Sequence, residues 1–130
     1  MKNCVTEVAV NAVPRPQGPM SVGMRHDNLV FLSGQLGKDP RSGEFAADFE
    51  EQTRRVLQNL KNILEEAGGS MQEVLKVTAF ITDIANLPMM NRIYGEFFVA
   101  PYPARSTVEV SALAAGALVE MDLVAALPDR

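Results

Sequence analysis

The stretch LVEMDLVAAL, residues 118–127, predicts one β-strand because apolar and polar positions alternate along it. Successive side chains of a strand point to opposite faces of its sheet. One predicted face is entirely apolar and consists of Val119, Met121, Leu123, Ala125 and Leu127. The other face is mixed and carries Glu120, Asp122, Val124 and Ala126.

Two helices are predicted before this strand. Residues 48–67 place Val56, Leu60, Ile63 and Leu64 on one apolar stripe, and Gly68-Gly69 follows as a stop signal. The second helix begins at a cap, Asn86, and ends before Pro101. Its apolar stripe is Met90, Ile93, Tyr94, Phe97 and Phe98, and Met89 and Met90 are interpreted as packing residues.

The remaining strands are predicted at residues 5–9, in a hairpin of 21–25 and 29–34, at 75–82 and at 104–110. In the strand 75–82, Leu75, Val77, Ala79 and Ile81 share one side. Residues 70–73 match a capping box. The order βββαβαββ predicts an α+β fold, with a mostly antiparallel sheet and two helices on one face, in a single domain of residues 1–130. The second face of the sheet is too apolar to be fully wet, so we expect a homo-oligomer.

Composition favours a soluble protein of a reducing compartment, which we interpret as cytoplasmic. The chain has 130 residues, 47% of them hydrophobic, and one cysteine, Cys4, which we interpret as a small strand residue and which excludes an internal disulfide framework. No apolar run approaches the length of a membrane span, and the N-terminus is too mixed to be a signal peptide. The net charge is −4 and basic residues are scattered, so no nucleic-acid partner is expected.

Several short stretches, in order along nearly the whole chain, resemble the Rid family (reactive intermediate deaminase, also called RidA or YjgF). They include Leu32-Ser-Gly-Gln35, Asn91-Arg-Ile-Tyr-Gly-Glu-Phe-Phe98, Pro103-Ala-Arg-Ser106 and Val119-Glu120. The resemblance implies a chorismate-mutase-like fold and a homotrimer with three clefts between subunits. It also implies hydrolysis of enamines and imines such as 2-aminoacrylate to 2-keto acids and ammonia, without a cofactor.

The resemblance also implies roles for particular residues. Arg105 would bind the substrate carboxylate, and Glu120 would help to place the attacking water. Ser33, with Gly34 beside it, and Asn91 would line the pocket. Thr107 stands where a cysteine is frequent and threonine is also common.

One departure from the family concerns the N-terminal segment. The family often reads Gly-Pro-Tyr-Ser, with the tyrosine hydroxyl in the cleft, whereas this chain reads Gly18-Pro-Met-Ser21. Met20 cannot donate that hydrogen bond.

The chemistry of Arg105 and Glu120 leaves structural alternatives open. A guanidinium binds a carboxylate through two parallel hydrogen bonds, but Arg105 could instead form an ion pair with Glu120 or Glu109. Glu120 could be a proton shuttle or part of a solvated strand face beside Asp122. Burial would raise the pKa of Glu120 and a nearby Arg105 would lower it.

Other catalytic arrangements lack their partners in the sequence. Ser33 has no base nearby, since the only histidine, His26, is predicted in a hairpin turn. One cysteine and one histidine do not suggest a metal site, and the glycines form no phosphate-binding fingerprint. Two rival functions remain: an endoribonuclease or translation inhibitor, and a non-catalytic module that binds metabolites or proteins in the same cleft.

Overall fold

The computed structural model describes residues 5–128, in which six strands form one sheet. The elements are β1 (Val5–Glu7), β2 (Gly23–His26), β3 (Leu29–Leu36), α1 (Phe49–Glu66), β4 (Val74–Ile81), α2 (Leu87–Phe97), β5 (Ala104–Glu109) and β6 (Val119–Ala126). The strand order is β1-β2-β3-β6-β4-β5, and only β4 and β5 pair in parallel. The predicted α+β fold and element order are confirmed, whereas Cys4 lies outside the described residues.

Both ends of α1 lie within one residue of the predicted helix of residues 48–67. The Asp48 carboxylate accepts a hydrogen bond of 2.9 Å from the Glu51 N–H and caps the first turn. At the other end Gly68 has a φ of +98°. The N–H groups of Gly68 and Gly69 donate to the carbonyls of Glu65 and Leu64, a Schellman ending that requires this left-handed residue.

Strand β6 lies in the middle of the sheet, between β3 and β4. Its predicted apolar face is confirmed: Val119, Met121, Leu123, Ala125 and Leu127 are all at most 1% exposed. Helix α1 packs across β3 and β6 on this face, and α2 packs beside α1. Among the helices of residues 5–128, none is long and apolar enough to cross a membrane.

The opposite face of the sheet carries no helix within the described residues, and we call it the open face. Met24, Phe31 and Val124 lie side by side on β2, β3 and β6, and Phe31 is 48% exposed. Glu120 and Asp122 share this face and are half-buried. The second copy expected on this face stays a prediction.

Three details of the sequence interpretation are wrong. A bulge between Val74 and Lys76 puts Val74 in the core and leaves Leu75 51% exposed. Met89 points outward from α2, whereas Met90 is fully buried. Asn86 precedes α2 but forms no side-chain cap; instead Asp83 caps a short 3-10 turn before it.

Candidate functional site

The candidate residues form two groups on opposite faces of the sheet. Arg105 and Thr107 of β5 pair with Val77 and Ala79 of β4, whose side chains are in the core. Because paired residues share a face, Arg105 and Thr107 lie on the helix side, where Asn91 of α2 joins them. We call these three residues the Arg105 group.

The second group is built around Glu120 on the open face. Glu120 alternates along β6 with the buried Val119 and Met121, so it points away from the helices. Its carboxylate lies against Gly34 of β3, next to Ser33. We call Glu120, Gly34 and Ser33 the Glu120 group; Met20 precedes Ser21, the residue to which Ser33 is hydrogen-bonded.

The guanidinium of Arg105 is held from two sides. Its Nη2 donates a hydrogen bond of 2.7 Å to Oδ1 of Asn91. Its central carbon lies 4.6 Å from the centre of the Tyr94 ring, which is within the range of a cation–π contact. An open pocket of about 440 Å³ adjoins the guanidinium and is lined by Asn91, Tyr94, Gly95, Tyr102, Pro103 and Arg105.

Arg105 makes no ion pair with any carboxylate in residues 5–128. Glu120 is on the other face of the sheet. The Glu109 carboxylate instead accepts a hydrogen bond of 2.8 Å from the Ile84 N–H. The structural alternative, an ion pair with Glu120 or Glu109, is therefore not formed in this chain.

Burial raises the pKa of the Glu120 carboxyl above its ordinary value of 4.5, and the negative charge of Asp122 raises it further. Arg105 does not counteract this shift, because it lies on the other face. Asp122 has a raised pKa as well, chiefly through burial, although Lys76 and a hydrogen bond from Thr78 oppose the shift. The open face therefore holds two carboxyl groups whose pKa values are both raised.

Ser33 lies at a bulge of β3, between Leu32 and Gln35, where the pairing with β6 shifts. Its hydroxyl donates a hydrogen bond of 2.7 Å to the Ser21 carbonyl, which ties β3 to the segment before β2. Met20 directly precedes Ser21 and is 60% exposed. The Ser33 hydroxyl therefore fixes the chain next to Met20 and has lone pairs left to accept a further hydrogen bond.

The Thr107 hydroxyl is a buried polar group. Its Oγ1 is shielded from solvent and has no hydrogen-bond partner in the described part of the chain. Buried hydroxyls ordinarily have partners, so this atom has an unmet capacity to bond.

Tyr94 was assigned from the sequence only to the apolar stripe of α2. It is 6% exposed, as that stripe requires, but its ring also contacts Arg105. The available signal was its spacing of three from Asn91, which puts both residues on one side of a helix. Tyr102 also lines the pocket, and no pattern in the sequence indicated it.

The only imidazole, His26, ends β2 and lies 3.7 Å from the Asp27 carboxylate. Four strand spacings separate β2 from β5, or roughly 19 Å. Residues 5–128 contain no group of three or more histidine, cysteine or acidic side chains arranged to hold a metal ion.

Comparison with known proteins gives a consistent match over almost the whole chain. Residues 10–127 match the family model described as Endoribonuclease L-PSP. The chain is 44% identical over 113 residues to a RutC family protein of Pyrococcus abyssi, covering 86% of this chain and 89% of that one. It is 40% identical over 121 residues to the chloroplastic Reactive Intermediate Deaminase A of Arabidopsis thaliana, covering 92% and 65%.

Solved structures show the same fold. RidA from an Antarctic Psychrobacter superposes with a TM-score of 0.91 at 34% identity, covering 94% of this chain and 99% of the other. A putative endoribonuclease from Thermotoga maritima superposes with a TM-score of 0.90 at 37% identity, covering 98% and 99%.

Proposed function

Since this chain belongs to the endoribonuclease L-PSP family, which includes proteins of the RidA type, we propose that it hydrolyses carboxylate-bearing enamines and imines to 2-keto acids and ammonia. The proposed substrates are small and resemble 2-aminoacrylate. We propose that the reaction takes place in the cytoplasm and needs no cofactor, metal, membrane or nucleic acid.

The proposal depends on one observation: the Arg105 guanidinium is held in a fixed orientation, but no carboxylate of residues 5–128 forms an ion pair with it. Asn91 and Tyr94 fix the guanidinium, no carboxylate of residues 5–128 neutralises it, and a pocket opens beside it. Asn91 uses only one of the five N–H donors of the guanidinium. The others suffice to bind a substrate carboxylate bidentately, which fixes the position of the adjacent C=N carbon.

The chemistry then needs one water and one proton shuttle. Water adds to the carbon of the protonated C=N bond, while a carboxylate accepts a proton from that water. The protonated carboxyl then donates this proton to the nitrogen of the resulting carbinolamine. The C–N bond breaks and ammonia leaves, while the carbinol hydroxyl gives its proton back to the carboxylate as the C=O bond forms. Glu120 suits this role because burial and Asp122 raise its pKa toward the working pH, where a carboxyl both accepts and donates a proton.

Arg105 and Glu120 cannot act on one substrate within one chain, because the sheet separates them. We therefore propose that the Arg105 group of one subunit meets the Glu120 group of its neighbour in a closed homotrimer. In a closed ring each subunit uses two different surfaces, one toward each neighbour. The exposed apolar residues of the open face, Met24 and Phe31, support the burial of that face between copies.

The primary experiment measures ammonia released from freshly generated 2-aminoacrylate. Arg105→Ala is expected to abolish the acceleration over water while the oligomer stays intact. Arg105→Lys should also be poor, because an ammonium cannot reproduce the planar fork. Arg41→Ala removes an exposed arginine that does not line this pocket and serves as the matched control. Equal activity of wild type and Arg105→Ala would refute the mechanism.

A mixing experiment tests the shared site directly. Arg105→Ala and Glu120→Ala subunits are each expected to be inactive as pure oligomers. Co-refolding them in equal amounts should restore activity at about a quarter of the sites, since only one of four subunit pairings joins an intact Arg105 to an intact Glu120. Mixed oligomers that stay inactive would refute a site shared between subunits.

The rival functions predict different results. A binding module would bind a 2-keto acid through Arg105 without releasing ammonia faster than water. A ribonuclease would cleave RNA in an Arg105-dependent way after rigorous purification. Metal-free RNA cleavage usually employs an acid–base pair, and the only imidazole lies four strands away from Arg105 within the chain.

A further inference from the structure

The aromatic ring of Tyr94 lies beneath the Arg105 guanidinium. Its ring centre is 4.6 Å from the guanidinium carbon, and it is almost completely buried. The Phe98 ring packs against it with a centroid distance of 4.5 Å, so the tyrosine has little freedom to move. Tyr94 therefore presents a fixed aromatic face to the charged Arg105 side chain.

The hydroxyl of Tyr94 does not explain its presence. Its oxygen is buried and has no hydrogen-bond partner within residues 5–128. Burial raises the pKa of Tyr94 to about 12, so the phenol is neutral at working pH and cannot form an ion pair with Arg105. What remains is the aromatic face, whose electron density attracts a cation.

We propose that Tyr94 is a positioning residue: its ring, together with the Asn91 amide, holds the Arg105 guanidinium in the orientation that receives a substrate carboxylate. This inference rests on the proposed function and adds a residue to it. Asn91 restrains one edge of the Arg105 guanidinium by a hydrogen bond of 2.7 Å, and the Tyr94 ring restrains the orientation of the guanidinium plane. With both restraints, less conformational freedom is lost when the carboxylate binds.

Two variants test the ring and the hydroxyl of Tyr94 separately. Tyr94→Phe keeps the ring and should bind 2-oxobutanoate, a product-type 2-keto acid, as wild type does. Tyr94→Leu removes the ring and should raise the Kd for 2-oxobutanoate about 2- to 30-fold, the range of a cation–π contact. In the catalysed reaction the same change should raise KM more than it lowers kcat.

A fluorinated series guards against a folding defect in Tyr94→Leu. Mono-, di- and trifluorophenylalanine at position 94 keep the shape of phenylalanine and progressively weaken the electrostatic attraction of the ring. The Kd for 2-oxobutanoate, measured by calorimetry, should rise with each fluorine. In an Arg105→Ala background the series should have no effect.

The outcomes are distinct. A Kd that does not change across the fluorinated series would overturn the positioning role of Tyr94, as would a wild type that does not bind 2-oxobutanoate. A wild type that binds 2-oxobutanoate, loses affinity along the series and releases no ammonia from imines would leave the positioning role standing and overturn the deaminase proposal.

Discussion

The Glu120 carboxylate lies against the α-carbon of Gly34, in the space that a β-carbon would occupy. The glycine thus sets how closely the carboxylate approaches β3. Gly34→Ala is expected to push the Glu120 carboxylate aside, because the end of a glutamate is more easily moved than the backbone. A displacement of about 1 Å in a catalytic group costs on the order of 100-fold in rate.

Deaminase assays and thermal unfolding together check this prediction. The activity of Gly34→Ala should fall while its unfolding temperature changes little. Glu120→Asp shortens the side chain and makes room for the methyl, so Gly34→Ala should cost less activity in that background than in wild type. Loss of activity without dependence on Glu120 would contradict the explanation.

The charge of Asp122 raises the pKa of Glu120, so Asp122→Asn should lower it. Carboxyl NMR titration of Glu120 in wild type and variant measures the shift directly. If Glu120 is the base, the rise of kcat/KM with pH should move to lower pH in the variant. An NMR shift with an unmoved pH profile would assign the proton transfer to another group.

The same raised pKa values affect stability. A carboxyl whose folded pKa lies above its unfolded value binds its proton more tightly in the folded state. This tighter proton binding stabilises the fold fully at pH below the ordinary pKa values, 4.5 for Glu120 and 3.8 for Asp122. The stabilisation is lost as the pH rises through the raised pKa values of the folded protein. Glu120→Gln should therefore unfold at higher denaturant than wild type at pH 7 and lose part of the pH dependence.

Thr107 and Thr78 form a matched pair of strand threonines with different hydroxyl environments. The Thr107 hydroxyl is buried without a partner in residues 5–128, whereas the Thr78 hydroxyl donates to Asp122. Replacement by valine should raise the free energy of unfolding by about 1 kcal/mol at Thr107 and lower it at Thr78. A destabilised Thr107→Val would mean that a neighbouring subunit supplies the missing partner.

Met20→Tyr tests whether the segment before β2 lines the substrate cleft. A restored phenol donor is worth about 0.5–1.5 kcal/mol, so activity on 2-aminoacrylate should rise roughly two- to tenfold. The thioether of Met20 should favour imines with larger apolar side chains, such as those derived from leucine or methionine, and tyrosine should reduce that preference. Met89→Tyr, on the outer side of α2, is the control; an unchanged preference ratio in Met20→Tyr would remove Met20 from the cleft.

Local signals predicted most of the fold because they act over a few residues. The stop at Gly68-Gly69 and the alternation of β6 each depend on near neighbours in the chain. The predicted position of Leu75 on the core face is wrong because a bulge inserts one residue and reverses the alternation of faces. The periodicity of a single strand does not indicate where a bulge occurs. Asn86 stands before α2 as predicted, but it makes no capping hydrogen bond: it is the last residue of the 3-10 turn that Asp83 caps, and its backbone, with φ of −84° and ψ of 0°, lacks the extended conformation of a cap.

The candidate site was less accessible from the sequence. Periodicity tells which residues of one strand share a face, but not which face of β5 matches which face of β6. That relation depends on the register of each with β4, where Val77 pairs with Arg105 and Phe80 with Glu120. The family resemblance indicated the site residues, but only the strand pairing in the structure shows that they form two groups on opposite faces of the sheet.

The separation of Arg105 and Glu120 by one sheet would have a genetic consequence in the proposed closed trimer. A subunit that lacks both groups would disable the two sites to which it contributes, although its two neighbours are intact. One defective copy among three would thus remove about two-thirds of the activity of its assembly. Such an allele would act dominantly, through the neighbours it joins, rather than by its own absence.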